Sequence, residues 1–119
     1  MKIAIIGAGN MGGAIARGLT KGTLVQASDI AVSDITEANL EKLKSFDSRI
    51  RVSTNNADVV KDADLVIFAV KPWLLDQVVA GVKPVLSPSK QIYVSIVAGV
   101  PFEHLIEILK TDTASPVLF

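Results

Sequence analysis

The hydrophobic positions of this chain alternate between short continuous runs and segments with helical spacing. The continuous runs cover residues 2–6, 30–34, 50–53, 65–70 and 91–98. Short apolar runs that are bounded by polar or turn residues predict strands buried on both faces, as in a parallel sheet. The run at residues 65–70 is the strongest of these predictions, and the run at residues 50–53 is the weakest.

Apolar residues at helical spacing fill most of the intervals between these strands. In the first helix they are Met11, Ala14, Ile15 and Leu19, and Gly22 is placed to end it in a left-handed conformation. Four later helices are predicted by capping or apolar residues: Thr36, Leu40, Leu43 and Phe46; Asn55 or Asn56 through Val60; Trp73 through Val79; and Phe102, Leu105, Ile106 and Leu109. Strands that alternate with helices favour βαβ units and an α/β fold.

Composition limits the classes of protein that fit this pattern. The chain has 119 residues, half of them apolar, which predicts one compact domain over residues 1–119. Lys plus Arg and Asp plus Glu are 12 each, so the formal net charge is zero. No window of the sequence contains a basic stripe, and a nucleic-acid partner is therefore not indicated. The absence of cysteine excludes disulfides, thiolate metal sites and a cysteine nucleophile. No segment has the length of a membrane span or signal peptide, and a cytoplasmic location is predicted.

The first helix begins with a glycine pattern whose context indicates a ligand. Residues 7–12 read Gly-Ala-Gly-Asn-Met-Gly, which fits G-x-G-x-x-G between an apolar strand and an amphipathic helix. Gly7 permits the tight turn, Gly9 lets the backbone approach a pyrophosphate, and Gly12 lets the helix pack against the strand. The N–H groups of the first helical turn bind the pyrophosphate. The chain is therefore predicted to be a doubly wound Rossmann-type domain, with helices on both faces of a mainly parallel sheet, that binds NAD or NADP.

An acidic residue after the second strand bears on which dinucleotide is bound. Asp34 follows Gly12 by 22 residues. In dinucleotide-binding domains, an acidic residue about 20 residues after the glycine pattern binds the adenosine ribose hydroxyls with its carboxylate. It would repel a 2′-phosphate, and no Arg or Lys occurs in the next six residues, so NAD is favoured over NADP. Two alternatives stay open: Asp34 caps the helix that begins near Thr36, or Ser33 binds the 2′-phosphate of NADP.

Three further residues have chemistry to consider. Lys71 stands at the end of the fourth predicted strand, where it faces either solvent or a phosphate, a ribose or a substrate carboxylate. His104 is the only histidine, and a helix-surface position is favoured over a metal site because a stable site needs several ligands. Trp73 is interpreted as a packing residue. No metal is predicted.

Three sequence blocks resemble pyrroline-5-carboxylate reductases. They are Gly-Ala-Gly-Asn-Met at residues 7–11, Ala-Val-Lys-Pro at residues 69–72 and Ser-Ile-Val-Ala-Gly-Val at residues 95–100. Each block also occurs in related reductases, but the three together, in this order and spacing, are more specific. The resemblance implies hydride transfer from NAD(P)H to the imine carbon of 1-pyrroline-5-carboxylate, which gives L-proline.

The resemblance also implies roles for individual residues around the cofactor. The backbone of Asn10 and Met11 would bind the pyrophosphate, with the three glycines of the loop. The adenosine part would lie near Ser33, Asp34 and Asn56. The crevice toward the nicotinamide would be lined by Ala69, Val70, Lys71, Pro72 and Ala98.

Residues 115–119, Ser-Pro-Val-Leu-Phe, predict the start of a sixth strand at the end of the chain, and an end inside an apolar run suggests a truncated domain. The resemblance implies that a helical domain follows in the full-length enzyme, where it forms a homo-oligomer and supplies most of the substrate pocket. No catalytic residue is therefore assigned here. Two other functions are kept as alternatives: the nucleotide domain of a 3-hydroxy acid dehydrogenase, and a stand-alone dinucleotide-sensing module.

Overall fold

Six strands and five α-helices alternate along the part of the chain that the structure describes. The computed structural model describes residues 1–110 and 117–118. The strands are β1 (Ile3–Ile6), β2 (Ile30–Ser33), β3 (Arg51–Ser53), β4 (Leu65–Phe68), β5 (Ile92–Ser95) and β6 (Val117–Leu118). The helices are α1 (Asn10–Thr20), α2 (Glu37–Phe46), α3 (Asn56–Val60), α4 (Leu75–Val82) and α5 (Phe102–Leu109).

The strands form one parallel sheet in the order β3-β2-β1-β4-β5-β6. The chain builds outward from β1 to β3 and then returns to the other side of β1 to continue with β4. The order therefore reverses between β1 and β4, where Ile6 pairs with both Ser33 and Phe68. In open α/β sheets, ligands bind outside the carboxyl ends of the strands at this reversal.

Two hydrophobic cores lie on opposite faces of the sheet. Because successive side chains of a strand point to opposite faces, Ala4 and Ile6 pack in one core, and Ile3 and Ile5 pack in the other. The first core also contains apolar residues of α3, α4 and α5, and the second contains those of α1 and α2. The prediction of a doubly wound α/β domain with helices on both faces is confirmed.

Two predicted strands are too long. The predicted strands at residues 65–70 and 91–98 end at Phe68 and Ser95, which are paired with each other in the ladder. Beyond this level β1 has also ended, at Ile6, so the continuing segments have no neighbouring strand to pair with. The segments after β1, β4 and β5 separate there.

At the edge of the sheet beside β5, Val117 and Leu118 confirm the predicted sixth strand. Residues 115, 116 and 119 of that prediction lie outside the described residues.

Several helical predictions are wrong in detail. Helix α1 ends at Thr20 and is followed by Lys21 in right-handed conformation, and Gly22 does not have a positive φ. Met11 and Ala14 are exposed, because the packed face of α1 is formed by Gly12, Gly13 and Ala16. Helix α4 begins only at Leu75, after a 3₁₀ turn over Pro72–Leu74.

Two aromatic side chains that were predicted to pack in the core lie outside it and are exposed to solvent. Phe46 is on the last turn of α2, where Leu40 and Leu43 fill the core instead. Trp73 is 76% exposed, because the 3₁₀ turn after β4 directs it away from both cores.

Candidate dinucleotide-binding cleft

A cleft of about 560 Å³ lies at the carboxyl ends of the strands, where the strand order reverses. It is lined by the loops that follow β1, β2, β4 and β5 and by parts of α2, α3 and α4. Its lining residues are Ile6, Gly7, Gly9, Asn10, Met11, Ser33, Asp34, Ile35, Thr36, Asn39, Asn56, Ala69, Val70, Lys71, Pro72, Leu74, Val78, Ile96 and Ala98.

Residues 7–12, called the glycine loop from here on, connect β1 to α1. Gly7 has a φ of +108°, and a Cβ there would lie 2.5 Å from the carbonyl oxygen of Ala69. A Cβ on Gly12 would lie 1.8 Å from the carbonyl oxygen of Gly7. Both glycines are therefore required by the backbone path itself. Gly12 is buried under the loop and does not line the cleft.

Gly9 differs from these two glycines because a Cβ there would meet nothing within 4 Å. It is the N-cap residue of α1 and lines the cleft. The first four N–H groups of an α-helix have no intrahelical partner, and a side chain at the N-cap usually satisfies one of them. Gly9 supplies no such side chain. The N-terminus of α1, with its positive dipole end, is thus open to an anion in the cleft.

Asp34 follows β2 and holds two backbone N–H groups with its carboxylate. Its Oδ2 accepts a hydrogen bond from the N–H of Ala8 at 2.7 Å, and its Oδ1 accepts one from the N–H of Thr36 at 2.8 Å. The amide Nδ2 of Asn39 makes a longer contact of 3.5 Å with Oδ2. An ionised carboxylate offers about four acceptor sites. Asp34 therefore has capacity left for a ligand hydroxyl group.

Ser33 and Asn56 form a second polar pair at the same end of the cleft. Ser33 is fully buried, and its hydroxyl donates to the Oδ1 of Asn56 at 2.7 Å. Because this bond occupies the oxygen, it fixes the orientation of the Asn56 amide. The Nδ2 group of Asn56, which has no protein acceptor among the described residues, is left to donate elsewhere.

The opposite end of the cleft is mostly apolar. It consists of Ala69, Val70 and Pro72 after β4, and Ile96 and Ala98 after β5. Lys71 is exposed there and is the only cationic side chain among the described lining residues, just as Asp34 is the only anionic one. The two charges of the cleft thus belong to different loops, one after β4 and one after β2.

Twelve of the thirteen predicted site residues line this one cleft, and Gly12 supports the loop beneath it. Lining residues that the sequence reasoning missed are Ile6, Ile35, Thr36, Asn39, Leu74, Val78 and Ile96. A signal was present for two of them: Ile35 and Thr36 directly follow Asp34 in the same loop. Asn39 is the third residue of α2 after its N-cap Thr36, and only the packing of α2 brings it to the cleft.

Asp34 takes part of the capping role that was kept as an alternative for it. Its carboxylate accepts from the N–H of Thr36, which is the N-cap residue of α2. Thr36 itself makes no capping hydrogen bond through its side chain. The same carboxylate lines the cleft, so the two interpretations of Asp34 do not exclude each other.

His104 has a partner on a neighbouring helix. Its Nε2 lies 2.6 Å from Oδ1 of the exposed Asp76 on α4, which agrees with the predicted surface position. Among the described residues, no group of three or more His, Cys, Asp or Glu side chains is arranged to hold a metal ion. None of the described helices is both long and apolar enough to span a membrane.

The fold and the cleft together define a dinucleotide-binding domain of an oxidoreductase family. Residues 2–99 match the family described as NADP oxidoreductase, coenzyme F420-dependent, and the chain belongs to this family. A nicotinamide dinucleotide is therefore the class of cofactor that the cleft fits.

Similar proteins within this class carry one recurrent name. The chain is 42% identical over 100 residues to a pyrroline-5-carboxylate reductase of Methanosarcina acetivorans. The aligned region covers 84% of this chain and 36% of that protein. It is 38% identical over 112 residues to pyrroline-5-carboxylate reductase 3 of Macaca fascicularis, which covers 94% of this chain and 40% of that protein. The chain thus spans less than half the length of these curated relatives.

A solved structure supports the same relationship. The pyrroline-5-carboxylate reductase from Coxiella burnetii superposes with a TM-score of 0.83 at 27% identity, covering 92% of this chain and 40% of that one. The shared part of the structure is the dinucleotide-binding fold described above.

Proposed function

We propose that this chain is the dinucleotide-binding part of a pyrroline-5-carboxylate reductase, which reduces 1-pyrroline-5-carboxylate to L-proline. The observation that carries the proposal is the open N-terminus of α1, where Gly9 faces a cleft at the reversal of the strand order. The names of the similar proteins support the substrate. Bound NAD(P)H supplies the hydride for the imine carbon, and a proton completes the amine.

The residues of the cleft have separate tasks in this proposal. The N–H groups of Gly9, Asn10 and Met11 hold the pyrophosphate at the positive end of α1. Ser33, Asp34 and Asn56 hold the adenosine part. The segment at residues 69–72 and Ala98 form the apolar wall against which the nicotinamide packs, so that one face of the ring stays open to the imine.

NADH is the proposed preferred form of the cofactor, although the name of the family mentions NADP. Asp34 places a negative charge at the adenosine end, and Lys71, the only cationic residue among the described lining residues, belongs to the loop after β4. A 2′-phosphate next to an uncompensated carboxylate is destabilised by like-charge repulsion. The adenosine ribose of NADH instead offers hydroxyl donors to the carboxylate.

Calorimetric titration of the chain with NADH and NADPH at fixed salt concentration tests both proposals. We expect NADH to bind about tenfold more tightly, and Asp34→Ser to erase or reverse this difference. The matched control is Glu37→Gln, which removes one negative charge from the first turn of α2 outside the cleft lining. Tighter binding of NADPH to the wild-type chain would remove Asp34 as the discriminating residue, and binding of neither would contradict the cleft assignment.

Activity and assembly are expected to need more than this chain. Next to the apolar wall, Lys71 is the one cationic side chain among the described cleft residues, and because it is exposed it does not enclose a substrate by itself. We therefore expect the 119-residue chain to form no proline from 1-pyrroline-5-carboxylate and NADH. Proline formation by this chain at the rate of a full-length relative would contradict this. A homo-oligomer formed through a further helical domain, no nucleic-acid partner, no bound metal and a cytoplasmic location stay predictions.

A further inference from the structure

The glycine loop is attached to the end of β2 by two consecutive backbone N–H groups. The N–H of Gly7 donates to the carbonyl oxygen of Ser33 at 2.8 Å, and the N–H of Ala8 donates to Oδ2 of Asp34 at 2.7 Å. The first acceptor belongs to the backbone and is independent of the side chain at residue 33. The second acceptor is a side chain, so it can be removed by substitution.

The Ala8 N–H makes its hydrogen bond to Asp34 and to no other acceptor among the described residues. Ala8 is buried, with 6% of its surface exposed, and it does not line the cleft. A buried N–H group that loses its acceptor is unfavourable, and hydrogen bonds to charged acceptors are stronger than those to neutral ones. The carboxylate of Asp34 is therefore a strong local restraint on the loop.

We propose that Asp34 is a positioning residue for the glycine loop, so that it supports pyrophosphate binding through Ala8 as well as binding the ribose. Its carboxylate joins the loop that binds the pyrophosphate to the strand end that binds the adenosine. This inference rests on the proposed function, and it assigns to Asp34 an effect on a part of the cofactor that it does not touch.

The position of Ala8 in the loop explains how the effect is transmitted. Ala8 lies between Gly7, whose φ is +108°, and Gly9, which caps α1. Gly9 has no side chain to restrict its backbone, so its conformation depends on the residues on either side. Fixing the Ala8 N–H therefore restricts the N–H groups that follow it, and this lowers the entropy cost of holding an anion.

The first test measures amide hydrogen exchange at Ala8 by NMR in the cofactor-free chain. We expect exchange to become about tenfold faster or more in Asp34→Ala, because the charged acceptor is lost. Asp34→Asn keeps one acceptor oxygen and is expected to fall between wild type and Asp34→Ala, and it also serves if the alanine variant folds poorly. Glu37→Gln is the charge-matched control and should leave Ala8 exchange unchanged. Equal exchange rates in wild type and Asp34→Ala overturn the proposal.

The second test separates the ribose from the pyrophosphate. The probes are ADP and 2′,3′-dideoxy-ADP, which lacks the ribose hydroxyls that Asp34 would bind. If Asp34 positions the loop, Asp34→Ala weakens binding of the dideoxy compound by about threefold or more. If Asp34 acts only on the ribose, Asp34→Ala weakens binding of ADP and leaves that of the dideoxy compound unchanged, which overturns the proposal. Should the wild-type chain bind neither ADP nor NADH, the proposed function is wrong, and the positioning role is then decided by Ala8 exchange alone.

Discussion

The two ends of the parallel sheet both carry polar side chains, but they use their hydrogen-bonding capacity differently. At the amino end, Gln91 precedes β5 and is 3% exposed. Its Nε2 donates to the carbonyl oxygens of Val60 and Ala63, and its Oε1 accepts from the N–H of Ser87 and the hydroxyl of Tyr93. All four sites of the amide are thus used within the protein.

At the carboxyl end, the corresponding groups keep part of their capacity free. Asn56 uses its oxygen for Ser33, and Asp34 uses about half of its acceptor sites for backbone N–H groups. Gly9 leaves the N-terminus of α1 without a side-chain cap. Full satisfaction marks polar groups that stabilise the fold, whereas partial satisfaction in a cleft marks groups that can bind a ligand. Substitutions that affect only stability or only binding test this distinction.

The largest expected effect comes from Gly12→Ala. It is a loss of stability at the carboxyl end of the sheet, where the comparison otherwise predicts effects on binding. Gly12 belongs to the carboxyl end, but a Cβ there would overlap the carbonyl oxygen of Gly7 at 1.8 Å. We expect the free energy of unfolding to fall by about 4 kcal/mol or more, because the clash is with backbone that cannot move aside. Denaturant unfolding followed by circular dichroism measures this.

Gly9→Ala is the matched control for Gly12→Ala in the same loop. A Cβ on Gly9 meets no protein atom within 4 Å, so the free energy of unfolding should change by less than about 1 kcal/mol. The methyl group would occupy the space of the pyrophosphate, and NADH affinity should fall by about tenfold or more. A Gly9→Ala chain with normal NADH affinity would show that the pyrophosphate binds elsewhere.

The sequence predicted much of the carboxyl end because its signals are local. The glycine pattern and the position of Asp34 after the second strand are read from short segments, whereas Asn56, residues 69–72 and Ala98 were implied by the family resemblance. Together they located twelve lining residues. Asn39 and Ile96 were missed because they reach the cleft only through the packing of α2 and the separation of strand ends. The exposed Met11 was assigned to a buried face for a related reason: its spacing is helical, but the packed face of α1 consists of small residues.

The amino end could not be predicted from the same signals. The acceptors of the Gln91 amide lie 31 and 28 residues earlier in the chain, and they are backbone carbonyl oxygens that any residue could supply. Nothing in the sequence around Gln91 distinguishes it from the exposed Gln77 of α4. Such a network is defined only when the ends of α3 and β5 are brought together.

The second largest effect is expected for Gln91→Met, which keeps the size of the side chain and removes all four hydrogen bonds. Two carbonyl oxygens, one N–H and one hydroxyl would lose their partner, and we expect a loss of about 3 kcal/mol in the free energy of unfolding. Gln77→Met, the same replacement on the exposed side of α4, should change stability by less than about 0.5 kcal/mol. NADH affinity of the folded Gln91→Met chain should match wild type, because the cleft is at the other end of the sheet. A large loss of affinity at unchanged stability would contradict the division between the ends.

The smallest effect concerns the pH dependence of stability that Tyr93 introduces. Burial raises the pKa of Tyr93 to about 12, above the value of about 10 in an unfolded chain. A group whose pKa is raised by folding contributes stability that is fully present below pH ~10 and is lost as the pH rises toward ~12. The loss amounts to about 1.4 kcal/mol by pH ~11, one pH unit above the pKa of the unfolded chain. In Tyr93→Phe this part of the pH dependence is absent, while stability at neutral pH falls by about 1 kcal/mol, because Gln91 loses one donor.

Tyr93 is the only tyrosine of the chain, so the absorbance of tyrosinate reports on this residue alone. In alkaline titrations, the tyrosinate absorbance of the folded chain should rise at a higher pH than that of the chain unfolded in denaturant. Denaturant unfolding of wild type and Tyr93→Phe at neutral pH and near pH ~11 then gives the stability difference, in which the titration of lysine residues cancels. Ionisation of Tyr93 at the same pH in the folded and unfolded chains would mean that the amino end of the sheet is open to water, and the contrast with the cleft would be lost.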